Sequence, residues 1–242
     1  MFEDRDTYRR LHKKQGLVSF EVTVKETNLN IQADRDLSRN ALDAALKFRG
    51  HIEAHIGSFP EFASALAPLP VPGPVPAVVR DMYDAAGRVL TGPMAAVAGG
   101  VAEHVGKALL QHSGQVMVEN GGDVFVRSDS DTLFSIFAGD SPLSMKAGIR
   151  VKKRKEFFGL CTSSGTIGHS KSFGRADAVT VLSPSCALAD AAATALANRV
   201  KSPSDIEKTV NRGKKIPGIE GLVIIKGKHM GIWGNLELVP LI

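Results

Sequence analysis

Between residues 17 and 34 apolar and polar side chains alternate: Phe20, Val22 and Val24 in one run, then Leu29, Ile31 and Ala33 in the next. A period of two marks half-buried strands, so this stretch reads as a hairpin. The period then lengthens. Leu42, Ala45, Leu46, Ile52 and Ile56 recur at helical spacing and predict a helix from about Leu37 to Ile56. The prolines of 67–76 exclude a regular helix or a central strand, and that run reads as an ordered extended arm within a single domain spanning 1–242.

A stronger helix follows over 92–114. Pro93 suits the first helical position, and Val97, Val101, Val105, Ala108 and Leu109 make one apolar stripe. Gly99, Gly100 and Gly106 weaken that helix, which points to close packing or close approach of a ligand. Short strands are predicted at 115–119, 123–127, 132–138, 147–151 and 177–183. Another apolar stretch, beginning at Phe158, ends in Thr162, Ser163, Ser164 and Gly165. A helix over 183–200 takes Ser183 as its cap and Pro184 as its first residue. A short helix near 203–212 and strands at 221–227 and 229–234 complete the pattern. Strands and helices cluster instead of strictly alternating, which predicts an α+β fold with mostly antiparallel sheet.

Composition narrows the function. The net charge of +5 comes largely from the runs at 150–156 and 211–217, which read as solvated loops. Neither has the aromatic interleaving of a nucleic-acid face. Cys161 and Cys186 are too few for a disulfide framework and read as buried free thiols. The first sixteen residues are charged throughout and lack the apolar stretch of a signal peptide. No apolar run reaches membrane-spanning length. The expectation is a cytoplasmic protein with no membrane or nucleic-acid partner.

Three segments could carry chemistry. Asn120, Gly121, Gly122 and Asp123 sit between two strands. Asn-Gly is a strong hairpin signal, and paired glycines also expose backbone N–H groups to a ligand. Thr162 to Gly165 offer hydroxyls and a flexible backbone to an anion. His169, in the glycine- and serine-rich loop beyond, could take a proton in its neutral form or be an ordinary loop histidine. Asp190 and Thr194 lie four residues apart, so they share a helix face. They are either a solvent-facing acid and a hydroxyl bonded back to its helix, or two hard oxygen ligands for Mg2+.

The segments ENGGD, GLCTSSG and AVTVLSPSCALADAAATAL together resemble the ApbE-type FAD:protein FMN transferases, in order and rough spacing, over about 92–200. The similarity is greatest to an uncharacterised branch carrying the GPMAAVAG helix and an HSxSxGxADA loop. It implies a T-fold-like architecture and FAD as substrate, with a divalent cation such as Mg2+ on its pyrophosphate. FMN would pass to a Thr or Ser of an acceptor flavoprotein. By motif, Asp190 and Thr194 would hold the metal. Asn120, Gly121, Gly122, Asp123, Thr162, Ser163, Ser164 and Gly165 would line the nucleotide site, with His169 or Asp123 as base and Asp177 as an alternative. The sequence departs from the family in having GHSKSFGRADA where transferases carry His-x-x-Asp-Pro-x-Thr-Gly, and in lacking the lysine of the glycine-rich helix. Other expectations on the same fold are a non-catalytic ligand-binding or assembly protein, or a hydrolase of FAD or another dinucleotide. T-fold relatives often associate, so a homo-oligomer is expected by fold analogy.

Overall fold

The computed structural model describes residues 14–165 and 174–241. Its alternating stretches form the strands β1 (Val18–Val24), β2 (Thr27–Ala33), β3 (Val116–Asn120), β4 (Asp123–Arg127), β5 (Thr132–Ser135) and β6 (Ala147–Val151). They continue with β7 (Phe158–Ser163), β8 (Ala178–Ser183), β9 (Gly221–Lys226), β10 (His229–Gly234) and β11 (Glu237–Pro240). Eight of them make one sheet in the order β1-β2-β3-β4-β7-β8-β9-β10, and β11-β6-β5 make a second. Every strand pair is antiparallel.

The helices are α1 (Ser38–Ser58), α2 (Glu61–Ser64), α3 (Ala77–Val89), α4 (Val97–Leu109), α5 (Cys186–Ala197) and α6 (Ile206–Gly213). A 3-10 turn, Pro93–Ala96, leads into α4. The middle strands of the large sheet are buried on both sides. Alternate residues such as Ile31, Val118, Phe125, Cys161, Val181 and Ile224 face the helices. The intervening ones, including Val124, Leu160, Leu182 and Val223, face the small sheet. The helix layer is close-packed because its inward positions are small: Ala187, Ala189, Ala191, Ala192 and Ala193 of α5 are all buried.

Several expectations change. Helix α3 and strand β11 lie outside the predicted elements, and β5 stops at Ser135. Leu42 and Leu46, expected on the buried stripe of α1, are 39% and 51% exposed. That helix rests on Ala41, Ala44 and Ala45, whose small side chains bring its backbone close to the core and leave the leucines at the rim. Residues 67–76 carry no helix or strand, as their prolines require. No helix among the described residues is long and apolar enough to cross a membrane.

Candidate functional site

Strands β3 and β4 are joined by a two-residue turn, with Asn120 paired to Asp123. Gly121 has φ of 77° while Gly122 stays out of the left-handed region, the pattern of a type II′ turn. The next strand lies against this turn. Thr162 N donates to Gly122 O at 3.0 Å, and Asp123 stands opposite Cys161. The segments 120–123 and 162–165 thus lie side by side at one end of neighbouring strands.

Directly opposed residues share a sheet face. Asn120, Asp123, Cys161 and Ser163 therefore face the helices. Thr162 faces the other way, its hydroxyl 2.9 Å from that of Thr180 on β8. Ser164 follows the strand end, and Gly165 N donates to Ala176 O at 2.8 Å. His169 lies outside the described residues. Asp177 accepts from Lys226 Nζ at 2.9 Å and from Gly227 N at 2.6 Å.

Helix α5 brings the second carboxylate. Its cap is Ser185, not Ser183: Ser185 Oγ accepts from Leu188 N at 3.3 Å. Ser183 stays buried in β8 and accepts from Ser185 N, because Pro184 lies ahead of the helix and not inside its first turn. Asp190 is half-buried and bonded, not a free solvent-facing acid. Its Oδ2 accepts from Gly99 N at 2.9 Å, in the first turn of α4, which has no cap from its own flanking residue Ala96. Asn120 Nδ2 donates to Ala98 O at 3.1 Å, so the start of α4 is held from two sides. A Cβ on Gly99 would lie 2.3 Å from Cys186 O and 2.8 Å from Asp190 Cβ, which explains glycine there. Thr194, half-buried, sits one helical turn beyond Asp190.

The electrostatics are unbalanced. Asp123 is 8% exposed and its Oδ1 has no hydrogen-bond partner. Burial pushes its carboxyl well above the usual range, and the charges of Asp190 and Glu119 add to this; the nearby Cys161 thiol and Thr162 N–H oppose it. Burial also raises Asp190, to about 7, against the N–H groups of Gly99 and Ala98. Beneath the two acids lie Cys161 and Cys186, free and fully buried, with Cys161 Sγ donating to Cys186 O at 3.5 Å. Burial pushes both thiols up, which argues against a thiolate nucleophile.

Both nearby helix N-termini are already filled by the protein's own carboxylates. Asp190 occupies that of α4. Glu103, buried on α4, occupies that of α5: its Oε2 accepts from Cys186 N at 2.7 Å, Ser185 Oγ at 3.2 Å and Ala187 N at 3.4 Å. A phosphate arriving here therefore finds acids where vacant amides would otherwise attract it. Among the described residues no three His, Cys, Asp or Glu side chains converge on one point. The donors present are two carboxylates with hydroxyls and carbonyls nearby. This hard-oxygen set fits Mg2+, which keeps waters and completes its shell with substrate phosphate. The sequence pattern marked Gly99 for close packing but did not expose Glu103 as part of this arrangement. The signal for Glu103 is a lone acid inside an apolar helix, with Lys107 four residues on.

Residues 9–229 match the family described as AbpE bacteria. The chain belongs to this ApbE-like family. UPF0280 proteins are among its relatives: one from Methanococcus aeolicus is 35% identical, covering 93% of this chain and 91% of its own. Another, from Methanocella arvoryzae, is 38% identical over 89% and 88%. The flavin transferase ApbE of Vibrio cholerae superposes with a TM-score of 0.59 at 11% identity, over 90% of this chain and 97% of that one. The apo form of the Pseudomonas stutzeri flavinyl transferase ApbE gives 0.56 at 14%, over 90% and 94%. At such identities the likeness shows the fold, a large antiparallel sheet with helices.

Proposed function

We propose that this ApbE-like protein binds a flavin dinucleotide with the help of a divalent cation and transfers FMN from FAD to a Thr or Ser hydroxyl of a protein acceptor. The observation that carries the reading is the buried Asp123 Oδ1, without a partner and beside a second acid, Asp190, instead of a lysine or arginine. A fold that sets two acids against each other, one of them buried with an oxygen left unpartnered, suits a bound cation. Asp190, Asp123 and Thr194 would hold Mg2+, and bound there it would neutralise the pyrophosphate.

The chemistry left to the chain is positioning and one proton. The acceptor oxygen attacks the FMN-side phosphorus, the bond to the AMP oxygen breaks, and the hydroxyl proton leaves to a base. With Asp123 holding the cation, His169 is the base this reading assigns. Asn120 orients the first turn of α4, and the Gly121–Gly122 turn leaves backbone close to a ligand.

Fluorescence titration of the full chain with FAD, with and without Mg2+, tests the reading. Saturable binding strengthened at least tenfold by Mg2+ is expected; indifference to both would overturn it. The sequence GHSKSFGRADA in place of the transferase segment favours a second reading, FAD hydrolysis with water as attacking group. Release of free FMN and AMP without protein labelling would separate it from transfer.

A further inference from the structure

Helices α4 and α5 cap each other. Asp190 of α5 accepts from Gly99 N at the start of α4, and Glu103, one turn further along α4, accepts from Cys186 N at the start of α5. The pair of acids clasps the helices where they lie closest, with no room for a Cβ on Gly99. Glu103 is 3% exposed, and its second oxygen is tied to Lys107 Nζ at 2.6 Å. Its three donors fall on the consecutive residues Ser185, Cys186 and Ala187. Asp190 follows four residues after Cys186 on the same helix, so the axial position and rotation of α5 that Glu103 sets also set where the Asp190 carboxylate points.

We infer that Glu103 is a positioning residue for Asp190: by holding the first turn of α5 against α4, it aims the carboxylate assigned above to the cation. Glu103 itself touches no ligand in this scheme. The inference deepens the proposed function and rests on it for the cation, but its geometric half can be tested without metal.

Gly99 N–H lies in the first turn of α4 and donates to Asp190 Oδ2, so losing that acceptor lowers its protection. Amide hydrogen exchange of the full chain therefore reports Asp190 at an N–H that bonds Asp190 and not the Glu103 side chain. In Glu103→Ala, faster exchange at Cys186 is expected from the lost cap alone. The deciding amide is Gly99, whose protection is expected to fall at least tenfold, toward its level in Asp190→Ala. Unchanged protection at Gly99 would overturn the inference. Glu103→Gln, which keeps the shape and one acceptor oxygen, is expected to show a loss of about threefold; it decides the matter if the alanine variant does not fold.

The functional half uses Mn2+ alone as probe, followed by its electron paramagnetic resonance signal. Glu103→Gln is expected to weaken Mn2+ binding severalfold in the wild-type background and to have no further effect in Asp190→Asn. Equal Mn2+ affinity for wild type and Glu103→Gln, at reduced stability, would make Glu103 a structural cap only and overturn the inference. If the wild type binds no Mn2+ while Gly99 still loses protection, the cation reading fails and the positioning of Asp190 by Glu103 stands.

Discussion

Asp177 and Asp123 stand at the same end of the same sheet, two strands apart, and each is 8% exposed. Their surroundings differ. Asp177 has Lys226 on one oxygen and Gly227 N on the other. Asp123 has an oxygen with no partner and Asp190 for a neighbour. Where this fold needs a buried acid for its own integrity, at the turn between β9 and β10, it supplies the compensating charge. At Asp123 it sets acid against acid and leaves the imbalance. Only the first arrangement stabilises the empty protein; the second suits a cation that arrives with a ligand.

That contrast can be broken by substitution. Asp177→Asn leaves Lys226 without its carboxylate and is expected to destabilise by ~2–3 kcal/mol at pH 7 in urea unfolding. Asp190→Asn is expected to act in the opposite direction. Its carboxyl lies near 7 in the folded protein against an ordinary 3.8. The folded state therefore holds the proton more tightly, and this contribution is complete below about pH 4 and lost as pH rises through 7. The cation-free variant should gain ~2 kcal/mol over wild type at pH 8, and the difference should vanish near pH 4. A variant less stable than wild type at pH 8 would show that the acid at this position serves the fold.

Asp123→Asn sharpens the comparison further. A neutral amide of the same shape removes a charge that burial, Asp190 and Glu119 all oppose, so ~1 kcal/mol of added stability is expected at pH 8. The smallest effect concerns the cation itself. At a Mg2+ concentration about tenfold above its dissociation constant, wild type should gain ~1 kcal/mol at pH 8, and Asp190→Asn nothing. Calorimetric melting with and without Mg2+ measures both.

Local pattern and tertiary arrangement differ in how far they can be read from sequence. The 120–123 turn and the Asp190–Thr194 helix face are legible because their spacing alone defines them. So are β1, β2 and α4, whose periodicity is uninterrupted. Helix α3 is obscured because its apolar positions, Val78, Val79, Met82, Tyr83 and Ala86, begin directly after a run of prolines whose own preference is extended. Strand β11 is four residues long and largely exposed, so it carries little hydrophobic signal. The approach of Asp123 to Asp190 depends on α5 packing across β4 and β7, which no local period encodes. For the same reason the Ser185 cap and the Glu103 contact emerge only from the folded chain, since both follow from where α5 begins relative to α4.

The small sheet has a consequence for how the chain is made. Its middle strand, β6, ends at Val151, but the partner that covers one edge, β11, begins only at Glu237. During synthesis at ~5–20 residues per second, β6 waits on the order of ten seconds with that edge unpaired. Through that interval Ile149 and its neighbours form an open strand on a nascent chain, the kind of edge to which another chain can add. Association between chains can therefore begin while the protein is still bound to the ribosome.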